Sequence, residues 1–371
     1  MLSRVAIVGA GPGGVAAARR LKECAGDGIE VTLFEGLPAA EYLPATIPVF
    51  LGRSSREEWR TNISIKGVTT KIGEVHEVSG EGVKTNREFH RADAVIAAPG
   101  LALDHGRVPR ARGVDAFWSP EGAESAAALA AEIRGGTIAI VVSSLPYRCP
   151  PAPYGMAMEL ATQCRRENRD VQVILTTPEE TPLASLGGGV PEFLQDSCAA
   201  AGVELLTKFE PDLKTLSSGE LRSHDGDALP CDAIFVVPPH VRSPLLAGLP
   251  GDGPLVQVSS RFESAEPGLF VVGDAAMTSL PRAADVAAAA GRTAVDAVLE
   301  RLGLLERWEP HSPQPECYVG HGGGTYSRIS LRYPDGPPPQ GEAEISIEKP
   351  SEELGAGFRS SFDRWRALLC G

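Results

Sequence analysis

Cysteine is scarce, seven in 371 residues, too few to staple a secreted scaffold. Any disulfide in this chain is expected to be a working one. Basic charge is short as well: Lys and Arg total 35 against 48 Asp and Glu, a formal net charge of −13. Without a basic stripe, nucleic acid is excluded as a partner. The acidity suits solubility first and a basic protein partner second. No apolar run reaches the ~18 residues that span a bilayer. The first strand starts almost at once, leaving no room for a secretion signal, so the cytoplasm is the expected compartment. Metal-ligand clusters, short repeats and Ser/His/Asp nucleophile signatures are all missing. What is there, 43% hydrophobic and 22% charged, is an ordinary globular composition, long enough for two or three domains.

The opening stretch "RVAIVGAGPGGVAAARRLKECAGDGIEVTLFEG" reads strand, tight turn, helix, strand. Val5–Val8 is short and β-branched, as a buried parallel strand should be. Gly9, Gly11 and Gly14 fit G-x-G-x-x-G, with Pro12 and Gly13 inside it, and Glu35 closes the second strand. Glycines let the backbone turn and approach a pyrophosphate at the helix N-terminus, and the acid accepts from the ribose. Two later apolar strands end in small residues, "ADAVIAAPG" at Ala98, Pro99 and Gly100, and "GLFVVGDAA" at Gly273–Asp274. Asp274 reads as a ligand or as the N-cap of the Ala-rich helix that follows.

A second strand–turn–helix–strand unit starts at "GGTIAIVVSS" and continues to "DVQVILTT". Its turn, "SSLPYRCPPAPYG", has no glycine before Gly155, and its prolines remove amide donors a phosphate would want. The second strand ends in Thr176–Thr177 rather than an acid. A pyridine nucleotide is therefore not expected here. The turn holds Cys149 instead, beside Arg148 and just ahead of a helix. A thiolate there would be stabilised by the helix dipole and free amides.

The Gly-Asp pattern resembles the two-dinucleotide-domain flavoprotein disulfide reductase superfamily. "PYRCPPAPYGMAMEL", "CDAIFVVPPHVRSPLLAG" and "PECYVGHGGGTYSRISLRY" resemble, more narrowly, the sulfide:quinone oxidoreductases and the flavoprotein subunit of flavocytochrome c sulfide dehydrogenase. The resemblance implies an α/β chain of two Rossmann-like domains, the first discontinuous (1–105 with 240–302), the second at 106–239. A short C-terminal region (303–371) completes the chain. It implies FAD on Gly9, Gly11, Pro12, Gly13, Gly14, Glu35, Ala98, Pro99, Gly100, Gly273 and Asp274. It also implies a redox pair of Cys149 and Cys317, with Cys317 nearer the flavin and Cys149 carrying sulfur. Sulfide or a related small sulfur compound would be oxidised, and two electrons would pass through FAD to a quinone or a cytochrome c. Arg282 matches a position where relatives carry lysine, and a cation there would stabilise reduced flavin.

The chain departs from that family in three places. Gly155 stands where relatives commonly carry glutamate, with Glu159 one turn further on. "AEYLPATIPVFLG" lacks the cysteine that attaches FAD covalently in flavocytochrome relatives, so the flavin is expected to be noncovalent. Residues 101–125 lack a third cysteine.

His240 and His321 are candidate proton carriers. In the tail, Phe358, Phe362, Trp365 and Leu369 fall on one helical face. The stripe suits peripheral membrane contact, helped by Arg359, Arg364 and Arg366, or docking on the protein's own core. Cys370 is expected on a frayed end. A homo-oligomer and a flavin-bearing assembly protein without turnover stay open.

Overall fold

The computed structural model describes residues 2–217 and 219–370. Two five-stranded parallel sheets form its body. The first has the order Leu269–Val271, Ala94–Ala97, Ser3–Val8, Ile29–Glu35 and Thr69–Ile72. The second runs Val114–Ala116, Ala233–Val237, Gly135–Val142, Asp170–Thr176 and Val203–Leu206. In each, the first strand of a strand–turn–helix unit lies at the centre, so its turn emerges at the C-terminal edge where the strand order reverses. Ligands bind at that point of an open parallel sheet. The central strands are buried on both faces, which is why they read as unbroken apolar runs, "VAIV" and "IAIVV". This is the α/β, two-Rossmann-like architecture expected from the sequence.

Between the sheets the chain crosses twice, and the crossing segments Leu101–Leu103 and His240–Arg242 pair antiparallel. The remainder is an antiparallel sheet of Glu316–Gly322, Thr325–Arg332 and Glu344–Ser351, followed by the helix Glu352–Leu369. Strand Glu316–Gly322 lies on the helix Ala152–Arg166 at very short range. A Cβ at Gly155 would come 3.1 Å from the Gly320 amide nitrogen, so glycine at 155 permits the close approach.

The tail stripe faces inward. Leu369 is fully buried and Phe358 nearly so, while Phe362 and Trp365 pack partly buried on Tyr42 and Trp59. The three arginines stay exposed. The stripe therefore packs on the protein's own core. The chain end is not frayed: Ser64 N–H donates to the Leu369 carbonyl at 2.8 Å. Arg19 reaches the carbonyls of Leu368 and Ala367, each at 2.7 Å. A guanidinium across the last helical carbonyls also opposes the negative end of the helix dipole. Among the described residues, no helix is long and apolar enough to cross a membrane.

Candidate active site

The first turn is shaped by contacts that admit only glycine. Gly9 is left-handed (φ +96°), and a Cβ on it would sit 2.4 Å from the Ala98 carbonyl oxygen. One on Gly14 would sit 1.9 Å from the Gly9 carbonyl, and one on Gly13 3.1 Å from that of Ala287. Helix Ala284–Arg301 presses on this turn in the same way, a Cβ at Gly291 falling 2.2 Å from the Gly13 carbonyl. Gly11 is different. Nothing lies within 4 Å of its Cβ position, so the turn is open at the helix start. Gly11 is the N-cap of Pro12–Ala25 without a side-chain cap, and Pro12 has no N–H to leave unpaired. Glu35 lies across the turn, its Oε2 accepting from Ala10 N–H at 2.6 Å and its Oε1 from Gly36 N–H at 2.7 Å. An open, uncapped helix start beside a carboxylate fits a dinucleotide.

Ala98, Pro99 and Gly100 leave the adjacent strand, Gly100 with φ +65°. Gly273 is also left-handed, and Asp274 lies in the short turn Gly273–Ala275, well before the helix at Ala284 whose cap is Ala283. The N-cap reading of Asp274 is thus replaced. Its carboxylate makes no hydrogen bond among the described residues. Burial raises its pKa, while Arg282 and Arg148 oppose the rise. A carboxylate so placed has acceptor capacity for the hydroxyls of a bound cofactor. Arg282 is buried, donates to the Leu280 carbonyl at 3.0 Å and keeps an unpartnered Nε.

At Cys149 the second turn meets the segment that follows Gly273–Ala275. The Cys149 N–H donates to the Arg282 carbonyl at 3.0 Å, and its own carbonyl accepts from Ala152 N–H at 2.9 Å. Its φ of +58° is rare for a residue with a side chain. Arg148 and Trp118 tie the loop to the second sheet, each donating to the other's carbonyl. Burial pushes the Cys149 thiol up to about 11, with Asp274 adding to the rise and Arg148 opposing it. This corrects the expected helix-start stabilisation. Pro151 and Pro153 bring no donors to the first turn, and Ala152 N–H is already bonded to the Cys149 carbonyl. Two of the helix's first three residues thus offer no free amide to a thiolate.

Cys317 lies on Glu316–Gly322, half-buried like Cys149. Its pKa is raised by burial first, then by Cys149, Asp285 and Glu316, so the fold brings the two distant thiols within electrostatic reach. All seven cysteines are free. Cys198 and Cys231 are raised by burial and sit in the cores of the second sheet. His240 is buried near Arg148 and lowered to about 4 by burial and then Arg148. His321 bonds Ser327 and abuts Phe193 on the far face of the hairpin.

Sequence reasoning missed Tyr42 and Glu179, and it named Glu159 without a partner. Tyr42, packed beneath the tail helix, has its phenol pushed up to about 12, mainly by burial and in part by Cys149. Glu159 is fully buried, paired with Arg53, and close under Gly320. Glu179, past the end of its strand, accepts from Tyr154 at 2.6 Å. Only the tyrosines on either side of "RCPPAP" offered a signal for the last.

Residues 3–291 match the family Pyridine nucleotide-disulphide oxidoreductase. The fold is similar to that of the sulfide:quinone oxidoreductase from the hyperthermophilic bacterium Aquifex aeolicus. That match has TM-score 0.81 and 15% identity, over 99% of this chain and 92% of that one. It is similar to a chain of the Tetrahymena thermophila mitochondrial ATP synthase (TM-score 0.71, 13% identity, 100% and 94% covered). It is also similar to a chain of the covalent putidaredoxin reductase–putidaredoxin complex (TM-score 0.66, 16% identity, 99% and 93% covered). At these identities the likeness is one of fold. With the family matched over most of its length, and both dinucleotide-type units in place, the chain belongs to the pyridine nucleotide-disulphide oxidoreductase family.

Proposed function

We propose that the protein oxidises sulfide, or a related small sulfur compound, through Cys149 and Cys317, with noncovalent FAD in the first turn and a quinone as acceptor. The observation that supports the reading is that Cys149 lies within electrostatic reach of both Cys317 and Asp274. Gly9, Gly11, Gly13, Gly14 and Glu35 would hold the dinucleotide, and Asp274 the chain that joins it to the ring system. FAD, when bound, supplies the two-electron sink that returns the cysteine pair to its oxidised form.

The protein's own share of the reaction is thiol chemistry. Hydrosulfide attacks one sulfur of the Cys149–Cys317 disulfide and the S–S bond breaks. One cysteine is left as a persulfide and the other as a thiolate; the sulfide sulfur has lost two electrons and the disulfide has gained them. Because the site raises both thiols, the leaving sulfur takes the proton that hydrosulfide brought, and the persulfide is left ionised. Arg282 and Arg148 supply the positive charge that favours electron-rich states nearby. The second turn argues against a pyridine nucleotide as the reductant, since its tyrosines and prolines stand where phosphate-binding amides would be needed.

Anaerobic mixing of the purified protein with sulfide, and separately with NADH, tests this by flavin absorption. Bleaching by sulfide alone, lost in Cys149→Ser although flavin is retained, is the expected result. Bleaching by NADH alone would overturn it, and silence with every sulfur donor would favour an assembly protein. Turnover with a soluble quinone but not with cytochrome c would support the acceptor.

A further inference from the structure

The two units differ at the acid that follows their second strand. In the first, Glu35 reaches back to the turn and takes a backbone amide, that of Ala10. In the second, Glu179 follows the strand Asp170–Thr176 and reaches back to the corresponding turn, but takes side chains. Its Oε2 lies 2.6 Å from the Tyr154 hydroxyl, 3.0 Å from that of Thr177 and 3.4 Å from that of Tyr147. Its Oε1 accepts from Leu183 N–H at 3.2 Å. The Tyr147 hydroxyl lies closer to the Pro150 carbonyl, at 3.0 Å, and shares its one proton between the two acceptors, so it spans the loop across Cys149. Tyr154 is fully buried and Tyr147 nearly so. Burial beside the carboxylate raises both phenols, which keeps them donors.

These bonds enclose a residue whose backbone opposes its own conformation. A left-handed non-glycine is strained and persists only where its surroundings hold it. The Tyr154 bond to a charged acceptor is the strong member of the set, and the shared Tyr147 proton closes the loop, which together supply that hold. We infer that Glu179, through Tyr147 and Tyr154, is the positioning residue that holds the Cys149 loop and so sets the effective concentration of Cys149 against Cys317. The inference rests on the reading of these two cysteines as a working pair.

The test is a double variant, Tyr147→Phe with Tyr154→Phe, which removes two hydroxyls and no carbon volume. Glu179→Gln is a second route to the same loss. The flavin-loaded protein is equilibrated in dithiothreitol redox buffers, and each cysteine is followed by alkylation and mass spectrometry. A tenfold fall in effective concentration raises the midpoint potential of the pair by about 30 mV, and that rise is expected in both variants. Cys149 should alkylate at least tenfold faster while Cys198 and Cys231 stay protected. An unchanged potential and rate would overturn the inference. So would a gain in reactivity shared by Cys198 and Cys231, the mark of general loosening. Should the wild-type pair form no disulfide in any buffer, the pairing reading fails by itself. Alkylation of Cys149 alone then decides: faster in the variants supports the positioning role, and unchanged refutes it.

Discussion

Arg53→Met should destabilise this protein by an amount that depends on pH, because Arg53 partners a carboxylate with almost no access to water. Glu159 is fully buried on the helix that follows Cys149 and faces the strand carrying Cys317, close under Gly320. Burial raises its pKa from the ordinary 4.5, and Arg53 pulls it back only in part. Removing one partner of a buried pair costs about 3–5 kcal/mol. Arg53 keeps 34% of its side chain exposed, so solvent screening brings the expected cost to roughly 2 kcal/mol at pH 8. The sign follows from proton binding. Below pH 4.5 Glu159 is mostly protonated in the unfolded chain and more so in the folded one, whose pKa is raised, so Arg53 has little charge to pair. As pH rises, the unfolded chain releases the proton while the folded one retains it, so stability falls. Without Arg53 the folded pKa moves higher and the fall is larger. Thermal melts of wild type and variant should nearly coincide at pH 4.5 and part by at least about 4 °C at pH 8, on a scale of about 2 °C per kcal/mol for a large domain. Glu159→Gln in the Arg53→Met background should recover most of the loss at pH 8. An equal loss at both pH values would refute the argument, since it would assign the effect to packing of the arginine stem.

Gly11→Ala should fold normally but purify with less flavin, whereas Gly14→Ala, its Cβ 1.9 Å from a backbone carbonyl, should fail to accumulate as folded protein. Soluble yield and the flavin-to-protein absorbance ratio separate the two outcomes. In cofactor-free protein, Cys149 alkylation should rise about tenfold per pH unit between pH 7 and 10, as a thiol held near 11 requires. Asp274→Asn should shift that profile to lower pH because it removes a neighbouring negative charge; a profile centred near 8.5 would contradict the assignment. Arg19→Ala removes the donors to the last helical carbonyls, so hydrogen exchange at the tail should quicken while the central strands keep their protection.

Much of this protein was legible in its sequence because local rules apply to its elements. Parallel strands buried on both faces must be apolar throughout, so Val5–Val8 and 138–142 announce themselves. A turn that brings backbone atoms within 2–3 Å of a Cβ position must be glycine, so the first cradle is written in Gly9, Gly13 and Gly14. The absence of that pattern before Cys149 was equally informative, since prolines cannot donate amides to a phosphate.

Tertiary structure alone decided the electrostatics and the long-range partners. The helix after Cys149 suggested a lowered thiol. Yet burial outweighs Arg148, a balance that depends on what surrounds the sulfur in space. Glu179, Glu159 and Arg53 carry no local signature, because their partners come from other turns of the chain. The tail stripe could have faced a membrane or a core, as amphipathicity records that a face is buried and not what buries it; Tyr42 and Trp59 settle the choice. Sequence by itself determined where a dinucleotide could approach and which cysteine stood in place of a second one. The electrostatic reach of Cys149 to Cys317, which the family resemblance implied and no local rule did, was decided by the fold, because the approach of residues far apart along a chain is a property of packing.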